Sequence, residues 1–242
     1  MDKFCQGAKV TVFKNARVSA LPKPGRFAFF ETLAYNRRMS TDTLGSIFNS
    51  PARVKIMRLF LLNQENVFVS SAVATRSNVS STIVRRELAV LSKSHFIKRK
   101  KERQNGKMIE GWMFDPKFEY TTSLTNLLFG TEFVDKVELA RKFKRSGRIK
   151  LLLLSGVFTH TTNAKLDLLL VGDNLRRPVV ERIIRSLEAE IGKEISYAAF
   201  ETGEFVYRAS MYDKLIRDVI DFPHETAINQ GSLLEQVPQV AV

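Results

Sequence analysis

Between Ile97 and Phe114 the chain reads IKRKKERQNGKMIEGWMF, two strand-like runs flanking Gln104-Asn105-Gly106-Lys107. Asn-Gly constrains the fold more than any other pair in the sequence. Both residues tolerate positive φ, which a tight hairpin turn demands. Strands over Ile97–Arg103 and Met108–Phe114 are therefore expected. A lone hairpin is marginal in water, so it needs something to lean on. The preceding residues supply it. Ser50-Pro51 is an N-cap followed by proline at the first helical position. Val54, Ile56, Met57, Phe60 and Leu61 then recur at helical spacing until Asn63. A short second helix is expected over about Ser71–Arg76. Asn78-Val79-Ser80 reads as a turn, with Ser80 or Ser81 capping a third helix that runs to about Ser94.

On a wheel of about 100° per residue with Val84 at zero, Leu88 and Leu91 lie within roughly 40° of it. Those three form the expected buried stripe, with Ile83 at its edge. Thr82, Arg85, Arg86, Ala89 and Lys93 fall on the opposite arc. Small residues interleaved with arginines let a backbone come close to a groove. Arginine can address guanine bidentately, and threonine can reach a phosphate or a thymine methyl. Ser81, Thr82, Arg85, Arg86 and Lys93 are the candidate DNA-binding residues of this helix, with Thr82, Arg85 and Arg86 as the readers. Lys98, Arg99, Lys100, Lys101, Arg103 and Lys107 of the hairpin suit phosphates or a neighbouring minor groove.

The charge distribution agrees. Residues 1–50 hold 8 Lys/Arg against 3 Asp/Glu, residues 51–120 hold 14 against 6, and residues 121–242 hold 16 against 16. A basic excess confined to a folded segment points to a polyanion partner, because each neutralised phosphate releases a counterion. The segments SPARVKIMRLFLL, NVSSTIVRRELAVLSKSHFIKRKK and QNGK together resemble the winged helix-turn-helix transcription regulators of the ArsR/MarR type over about residues 44–115. The resemblance implies double-stranded DNA as partner and a homodimer, since one helix and wing cover a short site. The cysteine-based metal site of some such regulators is absent: Cys5 is the single cysteine. An RNA-binding adaptor fits the charge but not the helix, which an A-form major groove does not admit.

Farther on, Phe118 to Arg145 is helical in pattern with a break at Gly130. Ile149–Leu154, Leu166–Gly172 and Ile195–Phe200 read as strands, and Arg177–Ile191 as an amphipathic helix ended by Gly192. Helical segments follow near Gly203–Ala209 and Met211–Ile220. In TTNAKLDLLLVGD, period-two geometry would place Lys165 and Asp167 on one face of a strand.

The segments IKLLLLSGVFTHTTNAKLDLLLVGD and RPVVERIIRSLEAEIGKEISYAAF resemble the minimal nucleotidyltransferase fold over about residues 148–200. That family has a Gly-Ser turn after its first strand, an Asp-x-Asp pair opening the second, and a third acid on a later strand, which together hold two metal ions. Here the turn is reversed as Ser155-Gly156, Thr159 and His160 replace the following arginine and glycine, and Lys165 stands at the first acid position. Asp167 keeps the second. The third is missing near Ser196, with Glu194 close by. Replacing a carboxylate by an ammonium beside Mg²⁺ reverses a term of about 4 kcal/mol at an effective dielectric of 20. The expectation is a catalytically inactive domain with no metal or other cofactor. Ser155, Gly156, Thr159, Lys165 and Asp167 then form a candidate pocket for a nucleotide effector, with oligomerisation as the other role. The alternative is an active nucleotidyltransferase, using Asp167, Glu194 or another acid, targeted by the winged helix.

The expected fold class is α+β: a basic, disordered extension over 1–42, a winged helix-turn-helix over 43–117, a helical connector over 118–147, a nucleotidyltransferase-like α/β domain with a small mixed sheet over 148–229, and a flexible tail over 230–242. Met39 opens a segment that reads as a natural start. His95, His160 and His224 are too scattered to suggest a ligand set. No run of about 18 apolar residues is present, and a single cysteine suits a reducing, cytoplasmic setting.

Overall fold

A computed structural model describes residues 41–104, 106–129, 135–159, 161, 164–235 and 237. The expectations for the N-terminal extension to residue 40, for the Met39 start, and for Asn105, Gly130 and His160 lie outside those residues. The fold class is α+β, with nine α-helices and two small sheets among the described residues. The chain divides into two compact units. One holds the described residues of 41–138 together with Glu181–Glu194, the other those of Leu139–Val180 and of 195–237.

The first unit begins with α1 (Thr41–Ile47) and α2 (Pro51–Leu62). Ser50 is extended at φ −166° and its side chain accepts from the Arg53 N–H, so the cap read from the sequence forms. Every residue from Val54 to Leu61 is buried, Lys55 and Arg58 included. A helix covered on all sides needs polar partners for such residues. After α3 (Ser70–Ser77), Asn78 adopts the left-handed conformation at φ 51° and turns the chain through Val79 and Ser80 into α4 (Ser81–Lys93).

Strands β1 (Ile97–Gln104) and β2 (Lys107–Phe114) pair antiparallel in unbroken register, from Ile97↔Phe114 to Gln104↔Lys107. Gly106 sits at φ 79°, the turn position that favours glycine. Phe68 bridges to Trp112 through two backbone hydrogen bonds of 2.9 and 2.8 Å. A side chain at Gly111 would come within 2.7 Å of the Phe68 carbonyl oxygen, so this approach requires glycine. Phe96, Phe114 and Phe118 meet edge-on behind the hairpin, Phe96 and Phe114 at 5.3 Å between centroids.

Two helices follow, α5 (Thr121–Phe129) and α6 (Lys136–Phe143). Arg58, 1% exposed, reaches the end of α5: its Nε and Nη2 donate to the Leu128 carbonyl at 3.2 and 3.0 Å. Its Nη1 donates at 3.2 Å to the Glu190 carbonyl, near the end of α7 (Arg177–Ile191). Burial pulls the Arg58 pKa down to about 10, with Glu190 opposing the fall. Lys55 pairs with the Glu190 carboxylate at 2.7 Å, and Asn63 Nδ2 donates to Gly192 O at 2.8 Å. Gly192, at φ 86°, lies so close to α2 that a Cβ would stand 2.5 Å from the Leu59 nitrogen.

The second unit is built on a mixed four-stranded sheet in the order β5-β4-β3-β6: β3 (Arg148–Leu154), β4 (Leu168–Asp173), β5 (Tyr197–Phe200) and β6 (Glu225–Asn229). β3 is antiparallel to β4 and β6, while β4 and β5 run parallel and are joined through α7. Leu151, Leu153, Leu169, Val171, Ala198 and Phe200 form the sheet's contribution to a core that α8 (Thr202–Ser210) and α9 (Lys214–Asp221) complete. β6 was not expected; its ETAIN sequence buries only Ile228, and its partner β3 lies some seventy residues away in the chain. The expected tail is also corrected at its start. Leu233 and Val237, 5% and 4% exposed, belong to this core.

Replacing Arg58 by leucine would leave the Leu128 and Glu190 carbonyls buried and unpaired. We expect a loss of about 3 kcal/mol or more, read as a lowered urea midpoint of the full chain.

Candidate functional site

The orientation of α4 is set from below by its apolar residues and from the side by one acid. Val84, Leu88 and Leu91 are 0, 1 and 4% exposed, the stripe expected from spacing. Ser81, Thr82, Arg85, Arg86, Ala89 and Lys93 are all exposed. Ile83 and Val90, 37 and 40% exposed, flank this arc. Lys93 stands in the last turn, where the helix dipole favours a cation.

Glu87 was missed by the sequence reading and is fully buried. Ser50 Oγ donates to its Oε1 at 2.9 Å, Arg53 Nε to its Oε2 at 2.8 Å, and Arg86 Nη2 to its Oε1 at 3.1 Å. Arg53 also donates to the Phe48 carbonyl at 3.0 Å. Burial pushes the Glu87 carboxyl up, but the bonds from Arg53, Ser50 and Arg86 outweigh it and hold the group below its usual range. The signal was present in the sequence. On the wheel that placed Val84 at zero, Glu87 falls at about −60°, between Leu91 and Ile83, at the margin of the apolar stripe. A charge there must have partners.

The bond to Glu87 holds Arg86 against α4, and Arg85 is left as the untethered arginine of the arc among the described residues. Ser80, the cap residue, makes no side-chain bond to the first turn of α4.

On the hairpin, alternation divides the cations between two faces. Arg99, Lys101 and Arg103 share one face with Trp112 and Glu110; Lys98, Lys100 and Glu102 share the other. Lys98 pairs with Asp115 at 3.2 Å, and Lys100 lies 3.9 Å from Glu102. Arg99 stacks over the Trp112 ring at 4.7 Å and pairs with Glu110 at 3.0 Å. Lys101 and Arg103 are exposed, and Arg103 Nε lies 3.5 Å from the Gly106 carbonyl oxygen. Lys107 opens β2; its side chain is outside the description.

In the second unit the side chains expected to line a pocket are each engaged by other parts of the fold. β4 begins at Leu168, so Lys165 and Asp167 precede the strand and the period-two argument does not apply to them. Lys165 does not meet Asp167. It pairs with Asp218 of α9, Nζ to Oδ2 2.5 Å. Asp167 instead accepts from backbone: Val157 N to its Oδ1 at 2.8 Å and Ser196 N to its Oδ2 at 2.8 Å. Gly156, at φ 55°, leaves room for that carboxylate, which a Cβ would strike. Ser155 is buried and its Oγ donates to the Pro223 carbonyl at 3.2 Å. Thr159 Oγ1 lies 3.0 Å from Thr161 Oγ1 and 3.4 Å from the Pro223 carbonyl. Glu194 lies in the loop before β5 and pairs with Arg76 at 3.0 Å within the first unit. No group of three or more His, Cys, Asp or Glu able to hold a metal exists among the described residues. No helix among them is long and apolar enough to cross a membrane.

Comparison with known proteins gives no matching family model, no matching curated protein and no matching solved structure.

Glu87 contributes its stabilisation fully above its unfolded pKa and loses it as pH falls through the depressed folded value. The parent should therefore lose stability below about pH 4.5 more steeply than Glu87→Gln, in urea titrations across pH 3–7. Asp167→Ala removes the acceptor of two backbone amides. It should cost about 1–3 kcal/mol in the same assay.

Proposed function

We propose that the chain is a sequence-specific, double-stranded-DNA-binding transcription regulator. In this reading the first unit is a winged helix-turn-helix, with α3 and α4 as the helix pair and β1–β2 as the wing. The second is a nucleotidyltransferase-like domain that does no catalysis and serves oligomerisation or ligand sensing.

One observation carries the proposal: α4 buries Val84, Leu88, Leu91 and Glu87 while exposing Thr82, Arg85, Arg86 and Lys93 together on one arc. A helix held this firmly on one side and bare on the other is suited to enter a major groove. Its first turn, free of a side-chain cap bond from Ser80, has backbone N–H groups suited to a phosphate. Arg85 is the base reader in this account. Arg86, shared with Glu87, and the hairpin cations are phosphate contacts.

A homodimer fits the short site that one helix and one wing cover. For the second unit we favour oligomerisation over ligand sensing. The hydroxyls of Ser155 and Thr159 and the ammonium of Lys165 have partners within the unit, which leaves little to recognise a nucleotide. Thermal melts with millimolar ATP, GTP or cyclic nucleotides should then show no shift, and a clear rise would establish an effector site.

Selection from a random-sequence duplex pool, followed by sequencing, tests the central claim. An enriched motif of two related half-sites is the expected result. Arg85→Ala should relax base preference at one position of each half-site by about 1–3 kcal/mol. A pool without enrichment, or an Arg85→Ala profile equal to the parent's, would defeat the reading.

A further inference from the structure

The even charge balance of residues 121–242 conceals a segregation within the second unit. Residues 139–180 hold 9 Lys/Arg against 2 Asp/Glu, and residues 195–242 hold 3 against 7. The fold gathers much of the basic excess at one end of the sheet. The 3₁₀ turn Lys144–Ser146 leads into β3, whose first residue, Arg148, is the register partner of Asp173 at the end of β4. Past β4 the chain turns at Asn174, φ 55°, and folds back. The Arg176 N–H then bonds the Ser146 carbonyl at 2.7 Å, and the Arg176 guanidinium bonds the Arg145 carbonyl. Gly147 permits the approach, since a Cβ there would stand 2.9 Å from the Asn174 and Asp173 carbonyl oxygens.

The result sets Lys144, Arg145, Arg148, Arg176 and Arg177, all exposed, on two adjoining strips of backbone. Two carboxylates border these strips: Asp173, already paired with Lys150 at 3.1 Å, and Glu201, which accepts from the Leu175 N–H at 3.3 Å, so the five cations still outnumber the acids. Moreover, α7 opens on Arg177 with no acid in its first turn, although the positive end of a helix dipole disfavours cations. Like charges are thus held together by backbone geometry, against their own repulsion. A polyanion laid across them removes that repulsion and releases counterions.

We propose that this end of the β3–β4 pair is a second phosphate-binding surface, which grips the backbone of duplex DNA independently of base sequence. The planar fork of arginine, which supplies four of the five exposed cations, matches phosphate bidentately. No large apolar side chain is exposed within 144–148 or 173–177 to insert into a lipid surface. The choice of duplex DNA rests on the function proposed above; the surface itself does not depend on α4.

The test is a salt titration of full-length protein on a labelled random duplex, which reads backbone contacts alone. Lys144→Gln with Arg177→Gln leaves every hydrogen bond described here in place. Loss of two phosphate contacts should reduce the slope of log K against log salt by about 1.8. Arg148→Glu with Arg177→Glu should weaken binding further at low salt, with circular dichroism confirming the folded state. Arg85→Ala, tested alongside, should change motif preference while leaving the contribution of this surface intact. A parent-like slope in the glutamine variant overturns the inference. So does a loss of binding confined to anionic vesicles or single-stranded RNA with duplex binding unchanged. Absence of an enriched motif would defeat the α4 reading alone.

Discussion

Arg58 is the interaction on which the first unit depends. A guanidinium 1% exposed is costly to bury, by several kcal/mol even after relaxation. The cost is offset because three hydrogen bonds of its guanidinium go to carbonyls at the ends of two helices, Leu128 of α5 and Glu190 of α7, among the described residues. Carbonyls in the last turn of a helix have no intrahelical donor and carry the negative end of the helix dipole. Bonds to a charged donor contribute about 1.5–3 kcal/mol each. With its pKa still about 10, the group remains charged at neutral pH. One side chain therefore satisfies two helix ends and fixes α2 between them. Five residues earlier on the same helix, about 140° around it, Arg53 grips Glu87 of α4. Thus α2 carries the anchor on one side and the orientation of α4 on another.

What the sequence revealed was whatever local chemistry decides. The Ser50 cap, the left-handed Asn78 turn, the span of α7 with Gly192 at its end, and the extent of both hairpin strands follow from residues within a few positions of each other. The stripe of Val84, Leu88 and Leu91 was equally legible, because helical period alone sets it. What escaped notice were partners far apart in sequence. Arg58 and Glu190 are 132 residues apart, Ser50 and Glu87 37. An arginine inside an apolar run gives no local sign of the distant carbonyls it will meet.

The second unit shows a different failure. Treating Lys165 and Asp167 as strand neighbours assumed that the strand had already begun. Asp167 N bonds the Ser196 carbonyl at 2.7 Å while its carboxylate receives Ser196 N, so the residue is clamped to the chain ahead of β5. Its other oxygen receives Val157 N from the turn after β3. A carboxylate in this position ties together three segments that meet at one end of the sheet. Lys165, released from any role beside it, neutralises Asp218 of α9.

These two uses of charge suggest why polar side chains in the two units differ in what they leave exposed. In the second unit the acid and lysine at the candidate pocket are spent on closing loops onto the sheet, so the chemistry of their positions is consumed by the fold. In the first, Glu87 draws on Ser50, Arg53 and Arg86 to position α4, and the arginine beside it, Arg85, is left outside that network. A long cation on a rigid helix, without an internal partner to displace, keeps its hydrogen-bond donors for another molecule. Rigidity beneath and unspent donors above are the conditions under which a helix face can discriminate one base edge from another.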